Sequence, residues 1–168
     1  VRELDLAVIY AKVSPASSAY LNQSLFFLDR GFQKTALAIL EKSIQSDAHD
    51  PIALMILASL YDRENQPEKS LAALKTLVTL FPSYTAAHMN LGELQTRQNR
   101  PVEAIQSYAT ALRLDPQNAE ALLRIATLQT CLKNYPEAEI AFLQVIALQP
   151  HYPIPYNELA FIWSEETS

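Results

Sequence analysis

The chain has 168 residues, 49% of them hydrophobic, a formal net charge of -5, and 13 Lys and Arg that read as scattered. That apolar content excludes a disordered chain, and the lack of a basic footprint argues against a nucleic-acid partner. Two glycines, Gly31 and Gly92, are too few for a β-sandwich or a phosphate-cradling loop, and no stretch approaches the ~18 apolar residues of a membrane span.

In chain order, residues 1–14 carry Leu4, Leu6, Val8, Ile9 and Val13 and read as a helix. It is expected to be either an N-terminal cap or the second helix of a decayed repeat, within a segment 1–16. The chain begins with Val1 and shows no signal-peptide pattern, which reads as a piece cut from something longer. Residues 17–50 are expected to form two helices with Gly31 in the turn. Asp50 then caps a new helix whose first residue is Pro51, where a missing N–H costs nothing. Pro67, Pro101 and Pro136 fall at or beside the start of later helices in the same way.

In the stretch 85–118, Ala87, Leu91 and Leu94 give one helical stripe. Ala104, Ile105, Tyr108, Ala111 and Leu112 give another. Residues 153–168 are expected to form one more apolar helix, the lone helix of a fifth repeat or a C-terminal cap, with Phe161, Ile162 and Trp163 partly bare. That motivates an expectation of self-association through terminal repeats or of truncation.

These segments repeat. Pro82, Pro116 and Pro150 are 34 residues apart, each after an apolar stretch. Ala36, Ser70, Ala104 and Ala138 form a small column at that spacing, and Ser24, Ala58, Gly92, Ala126 and Ala160 form another. Leu40, Leu74, Tyr108 and Phe142 are large and apolar, as are Ile44, Val78, Leu112 and Ile146. A unit of two helices and two turns has this period; one helix alone does not. Small residues are expected where the two helices approach most closely. Gly92, mid-helix, costs ~1 kcal/mol against Ala, and close approach by the helix carrying Ala104 is the expected reason. Leu at Ala104 or Ala138 is expected to overpack by roughly 1–3 kcal/mol.

The run from Ala87 to Gly92, followed by Pro101 to Tyr108 and Ala111 to Pro116, resembles the tetratricopeptide repeat. The resemblance covers about nine-tenths of the chain, with repeats at 17–50, 51–84, 85–118 and 119–152. It implies an all-α fold, a right-handed superhelix of antiparallel helical hairpins. Departures are Gln23 and Ser46 at apolar positions, no proline closing the first unit, and Gln95 and Gln129 where an aromatic is usual.

Members of the family commonly hold an extended or helical partner segment on a concave wall made by the first helices. By register the resemblance assigns that wall Leu21, Asn22 and Leu25, then Ile52, Met55, Ile56 and Ser59. Met89, Asn90, Glu93 and Arg97 follow, then Glu120, Leu123, Arg124 and Thr127, and finally Ile154, Asn157, Glu158 and Phe161. The apolar members read as an exposed patch, the mark of an interaction site, and Met55 and Met89 as an adaptable surface. Packing against neighbouring repeats is the competing reading. Asn22 and Asn90 occupy positions of an asparagine ladder found in some members, which Ile56 and Arg124 break. A carboxylate clamp of the chaperone-binding kind is excluded, since Leu21, Leu25 and Glu120 stand at its sites and only Arg124 fits.

No catalytic, cofactor or metal constellation is expected. His49 and His151 read as turn residues and His88 as an exposed helical one. Cys131 has no obvious base and reads as a small semi-buried residue. The function implied is a protein-interaction scaffold, not an enzyme. The alternatives are a substrate-recognition module of a larger transferase and a self-assembling structural protein. The expected partner is a protein or peptide, with no nucleic acid, no membrane insertion and no cofactor. The chain reads as soluble, cytoplasmic before periplasmic.

Overall fold

The computed structural model describes residues 15–46 and 50–166. Among these the regular structure is entirely α-helical. The helices are α1 (Pro15–Asp29), α2 (Gln33–Ser46), α3 (Pro51–Arg63), α4 (Pro67–Leu80), α5 (Thr85–Arg97), α6 (Pro101–Leu114), α7 (Ala119–Cys131), α8 (Tyr135–Leu148) and α9 (Ile154–Glu166). The helix expected within residues 1–14 lies outside the described residues, as does His49. No helix among the described residues is long and apolar enough to cross a membrane.

Two kinds of joint recur, and backbone chemistry explains both. At the tips of the hairpins, Gly31, Asn65, Asn99 and Lys133 adopt positive φ of 78°, 56°, 57° and 60°. They are 34 residues apart. Asn65 N donates to Asp62 O at 3.0 Å and Gln66 N to Tyr61 O at 2.7 Å, and the same pair of bonds forms at each of the other three tips. This left-handed closure satisfies carbonyls that the ending helix leaves unpaired. Of the four residues, only Lys133 is a poor match for that conformation.

Between hairpins, Pro82, Pro116 and Pro150 take the second position of tight turns. Tyr84 N donates to Phe81 O, Asn118 N to Asp115 O and Tyr152 N to Gln149 O, at 3.0, 3.0 and 3.1 Å. Proline presets the φ that this position needs. The prolines that revealed the period are therefore turn formers.

The chain divides into two compact units, one ending at Ala87 and one beginning at His88. In the first, Ala36, Leu40, Ala53, Leu57, Leu60 and Tyr61 form the core. Leu21, Phe27, Leu28, Leu37, Ile44 and Ile56 pack around it. In the second, one cluster gathers Ala126, Ala138, Ala141, Phe142, Leu159 and Ile162, and another gathers Ala104, Tyr108 and Leu128. Each core draws on helices adjacent in sequence, as stacked hairpins require.

The small columns lie at the helix crossings. Ala36, Ala104, Ala126 and Ala138 are fully buried, and Ser70 Oγ donates to Ala58 O on the opposing helix at 2.8 Å. Gly92 has a sharper reason than the expected one. A Cβ there would lie 2.8 Å from Cε1 of Tyr108, a ring that is itself 1% exposed. Ala160 continues the column on α9 and is exposed.

Candidate partner-binding face

Two polar networks fix the first helices. Asp50 is fully buried, and its Oδ1 accepts from Ile52 N and Ala53 N at 3.0 Å each. Its other oxygen accepts from Ser17 Oγ at 2.8 Å, and Ser17 lies 3.2 Å from Ser43 Oγ. The cap was legible; the two serines that extend it across three helices were not. On α5, buried Gln95 meets Ser107 of α6 at 2.7 Å. Its amide nitrogen suits the Glu103 and Leu91 carbonyls as well. A polar pair thus occupies the place of the usual aromatic, with Ser107 as the one sequence clue to it. In the second hairpin that place is held by Tyr61, whose hydroxyl donates to Glu41 Oε1 at 2.7 Å. Burial, then this bond and the Glu41 charge, push the Tyr61 phenol up to about 12.

The candidate wall separates into exposed and half-buried members. In the first unit Asn22, Leu25 and Ser59 are exposed, while Leu21, Ile52, Met55 and Ile56 are half-buried. Leu21 on α1 and Ile56 on α3 pack on the same core. In the second unit Asn90, Glu93, Arg97, Arg124, Thr127, Asn157 and Phe161 are exposed. Met89 is half-buried against Ala104, Tyr108 and Leu128, and Leu123 packs on the other cluster. The open apolar patch expected from the sequence therefore contracts to Leu25, Ile154 and Phe161. Leu21 and Ile56 are drawn onto the core of the first unit, and Met89 and Leu123 onto the clusters of the second. Arg124 Nη2 approaches Glu120 Oε1 one turn earlier at 3.4 Å, an exposed pair that holds the guanidinium along α7.

Two further expectations are corrected. His88 is buried, because its register on α5 turns it toward the hairpin interior. Cys131, at the end of α7, is exposed. No three His, Cys, Asp or Glu side chains among the described residues gather as metal ligands.

Helical hairpins in a fixed register, closed by the same joints, define a helical-repeat protein. Two family models of the tetratricopeptide repeat match residues 55–119 and 95–159, which together span more than half of the chain. The chain belongs to the tetratricopeptide-repeat family. No curated protein matches it in sequence. Among solved structures it is similar to the MamA protein, with 18% identity over 90% of this chain and 83% of that one and a TM-score of 0.82. It is similar to YrrB, described as a tetratricopeptide-repeat protein with an unusual peptide-binding site, with 20% identity, coverage of 85% and 74%, and a TM-score of 0.72. It is also similar to the first such domain of Spaghetti (RPAP3) bound to an HSP90 peptide, with 18% identity, coverage of 73% and 97%, and a TM-score of 0.65. At these identities the likeness establishes the all-α helical-repeat fold.

Proposed function

We propose that this chain is a protein-interaction scaffold, without a reaction of its own, that holds a peptide or helical segment of a partner along the outward faces of its first helices. The repeats are those bounded at 17–50, 51–84, 85–118 and 119–152. The supporting observation is in the second unit. There Asn90, Glu93, Arg97, Arg124, Thr127, Asn157 and Phe161 belong to the candidate wall on α5, α7 and α9, are exposed, and contribute to neither hydrophobic cluster. Asn side chains present both a donor and an acceptor, which suits an extended backbone, and Phe161 supplies an apolar anchor. Peptide binding by YrrB and by the RPAP3 domain supports the same reading.

The test is selection of a displayed random-peptide library on the wild-type chain. Measured affinities are then compared with a variant carrying Arg124→Glu, Asn157→Ala and Phe161→Glu. All three side chains are exposed, so the variant should keep its helical dichroism. Selected peptides should lose at least about tenfold in affinity. Peptides that bind the folded variant as tightly as the wild type would remove the assignment.

A further inference from the structure

The second helix of a hairpin leaves one stripe open, at i, i+4, i+7 and i+11. On α4 this stripe is Glu68, Ala72, Lys75 and Thr79, and on α6 it is Val102, Gln106, Ala109 and Arg113, all of them exposed. A complete hairpin, α7 and α8, follows α6 within the same compact unit. The stripe is therefore open by register and not for want of a neighbour. On α8 the stripe is Pro136, Ile140, Leu143 and Ala147, exposed in turn, with Ile140 at 59% and Leu143 at 48%. Elsewhere the stripe carries charge: Lys34 and Glu41 on α2, Glu68 and Lys75 on α4, and Arg113 on α6. On α8 it has no charged or hydrogen-bonding side chain at all.

Folding does not account for this departure. α8 already buries its opposite side, where Ala138, Ala141 and Phe142 join Leu159 and Ile162 in one cluster, and Ile140 and Leu143 take no part in it. A bond fixes the helix further, since Trp163, the sole tryptophan, donates from Nε1 to Glu139 Oε1 at 2.9 Å. α8 is thus apolar on two sides, a pattern that belongs to a helix covered on both. Neighbouring apolar side chains left bare mark a contact surface, and a local break in a pattern kept elsewhere marks function.

Shape and charge identify what fits it. A stripe one side chain wide, at helical spacing, matches the ridge of another α-helix. The cations of the chain are not evenly scattered, as a first reading suggests. All 13 Lys and Arg occur at or before Lys133, in the tip that leads into α8. α8 and α9 carry Glu137, Glu139, Glu158, Glu165 and Glu166 and no Lys or Arg. Two copies meeting through α8 would set like charge against like, whereas a basic helix is attracted. We propose that the Pro136–Ile140–Leu143–Ala147 stripe docks an amphipathic α-helix of another protein whose apolar ridge is flanked by Lys or Arg. Its apolar side chains interdigitate with Ile140 and Leu143, Ala147 leaves room for close approach, and its cations lie toward Glu137 and Glu139. This is recognition through anchors at i, i+4 and i+7. The site is on a second helix, and so stands apart from the peptide wall proposed on the first helices.

The probe is a synthetic amphipathic helix with Leu along one stripe, Lys at the remaining positions and a fluorophore at its N-terminus. A matched peptide carries Glu in place of Lys. The variant is Ile140→Gln with Leu143→Ala, which copies Gln106 and Ala109 of α6. Both side chains are exposed, so dichroism and urea midpoint should stay those of the wild type. Should the pair lower the midpoint, Leu143→Lys alone serves, with the same loss expected. By fluorescence anisotropy the Lys peptide should bind the wild-type chain saturably, at least about tenfold more tightly than it binds the variant. It should outbind the Glu peptide at least about tenfold at low salt, by a margin that shrinks as salt rises. Phe161→Ala should leave its affinity unchanged. Equal affinity for wild type and variant, equal affinity for the two peptides, or no saturable binding overturns the proposal. So does a concentration-dependent dimer in sedimentation that the variant abolishes, since a second copy would then occupy the stripe.

Discussion

Gly92 and Tyr61 show how single side chains carry the constraints of the hairpin. Ala is ordinarily the better helix former by about 1 kcal/mol. At Gly92, however, the added methyl must displace the buried ring of Tyr108, 2.8 Å away. Gly92→Ala should therefore lower stability by about 1–2 kcal/mol in urea melts. The same change in a Tyr108→Leu background, which recreates the Ala58 and Leu74 pairing, should cost nothing relative to that background. Tyr61 is tested by pH. Its phenol keeps its proton to about 12 in the folded chain, against 10.0 ordinarily. The contribution is complete below pH 10 and falls away between pH 10 and 12, as the unfolded chain loses its proton first. Burial raises Tyr108 as well. Tyr61→Phe should therefore flatten, without removing, the fall in urea midpoint over that window. Gly92 stood out in the sequence because glycine is costly mid-helix. Its true neighbour did not, because the period aligns columns without saying which pairs touch. The Gln95–Ser107 bond left Ser107 as its one clue for the same reason.

At the scale of the helix, starts and stops are where the chain spends its specialised residues. Asp50 caps α3 and also receives Ser17 from α1. Asp50→Ala leaves two N–H groups and a buried hydroxyl without their acceptor. It should cost about 2–3 kcal/mol, and Asp50→Asn, which keeps the cap acceptor, distinctly less. Lys133 holds φ at 60° where the other tips use Gly or Asn. Lys133→Gly should raise stability by about 0.5–1 kcal/mol, read as a shift in urea midpoint with unchanged slope. The helices were legible because proline and aspartate mark their starts and apolar spacing marks their faces. The tips were less so, since left-handed backbone leaves a clear trace at Gly31, a weaker one at Asn65 and Asn99, and none at Lys133. Likewise Leu21, Ile56 and Met89 read as exposed groove residues because periodicity fixes a side chain's direction but not whether a neighbouring hairpin covers it.

Within each of the two units, helices adjacent in sequence pack on one another. α1 packs on α2, α2 on α3 and α3 on α4 in the first unit, and α6 on α7, α7 on α8 and α8 on α9 in the second. Damage should remain local in such an arrangement. Ala138→Leu, at a fully buried crossing, should weaken amide-exchange protection in α7 to α9 and leave that of α1 to α3 as it was. Loss of protection throughout would show cooperativity that sequence-adjacent contacts do not supply. The position of the lone indole has a practical corollary. Emission follows the melting of a single terminal segment, whereas far-ultraviolet ellipticity averages over all helical residues. The two signals should then cross their midpoints at different denaturant concentrations, and that mismatch would record frayed, partly folded molecules in place of a two-state transition.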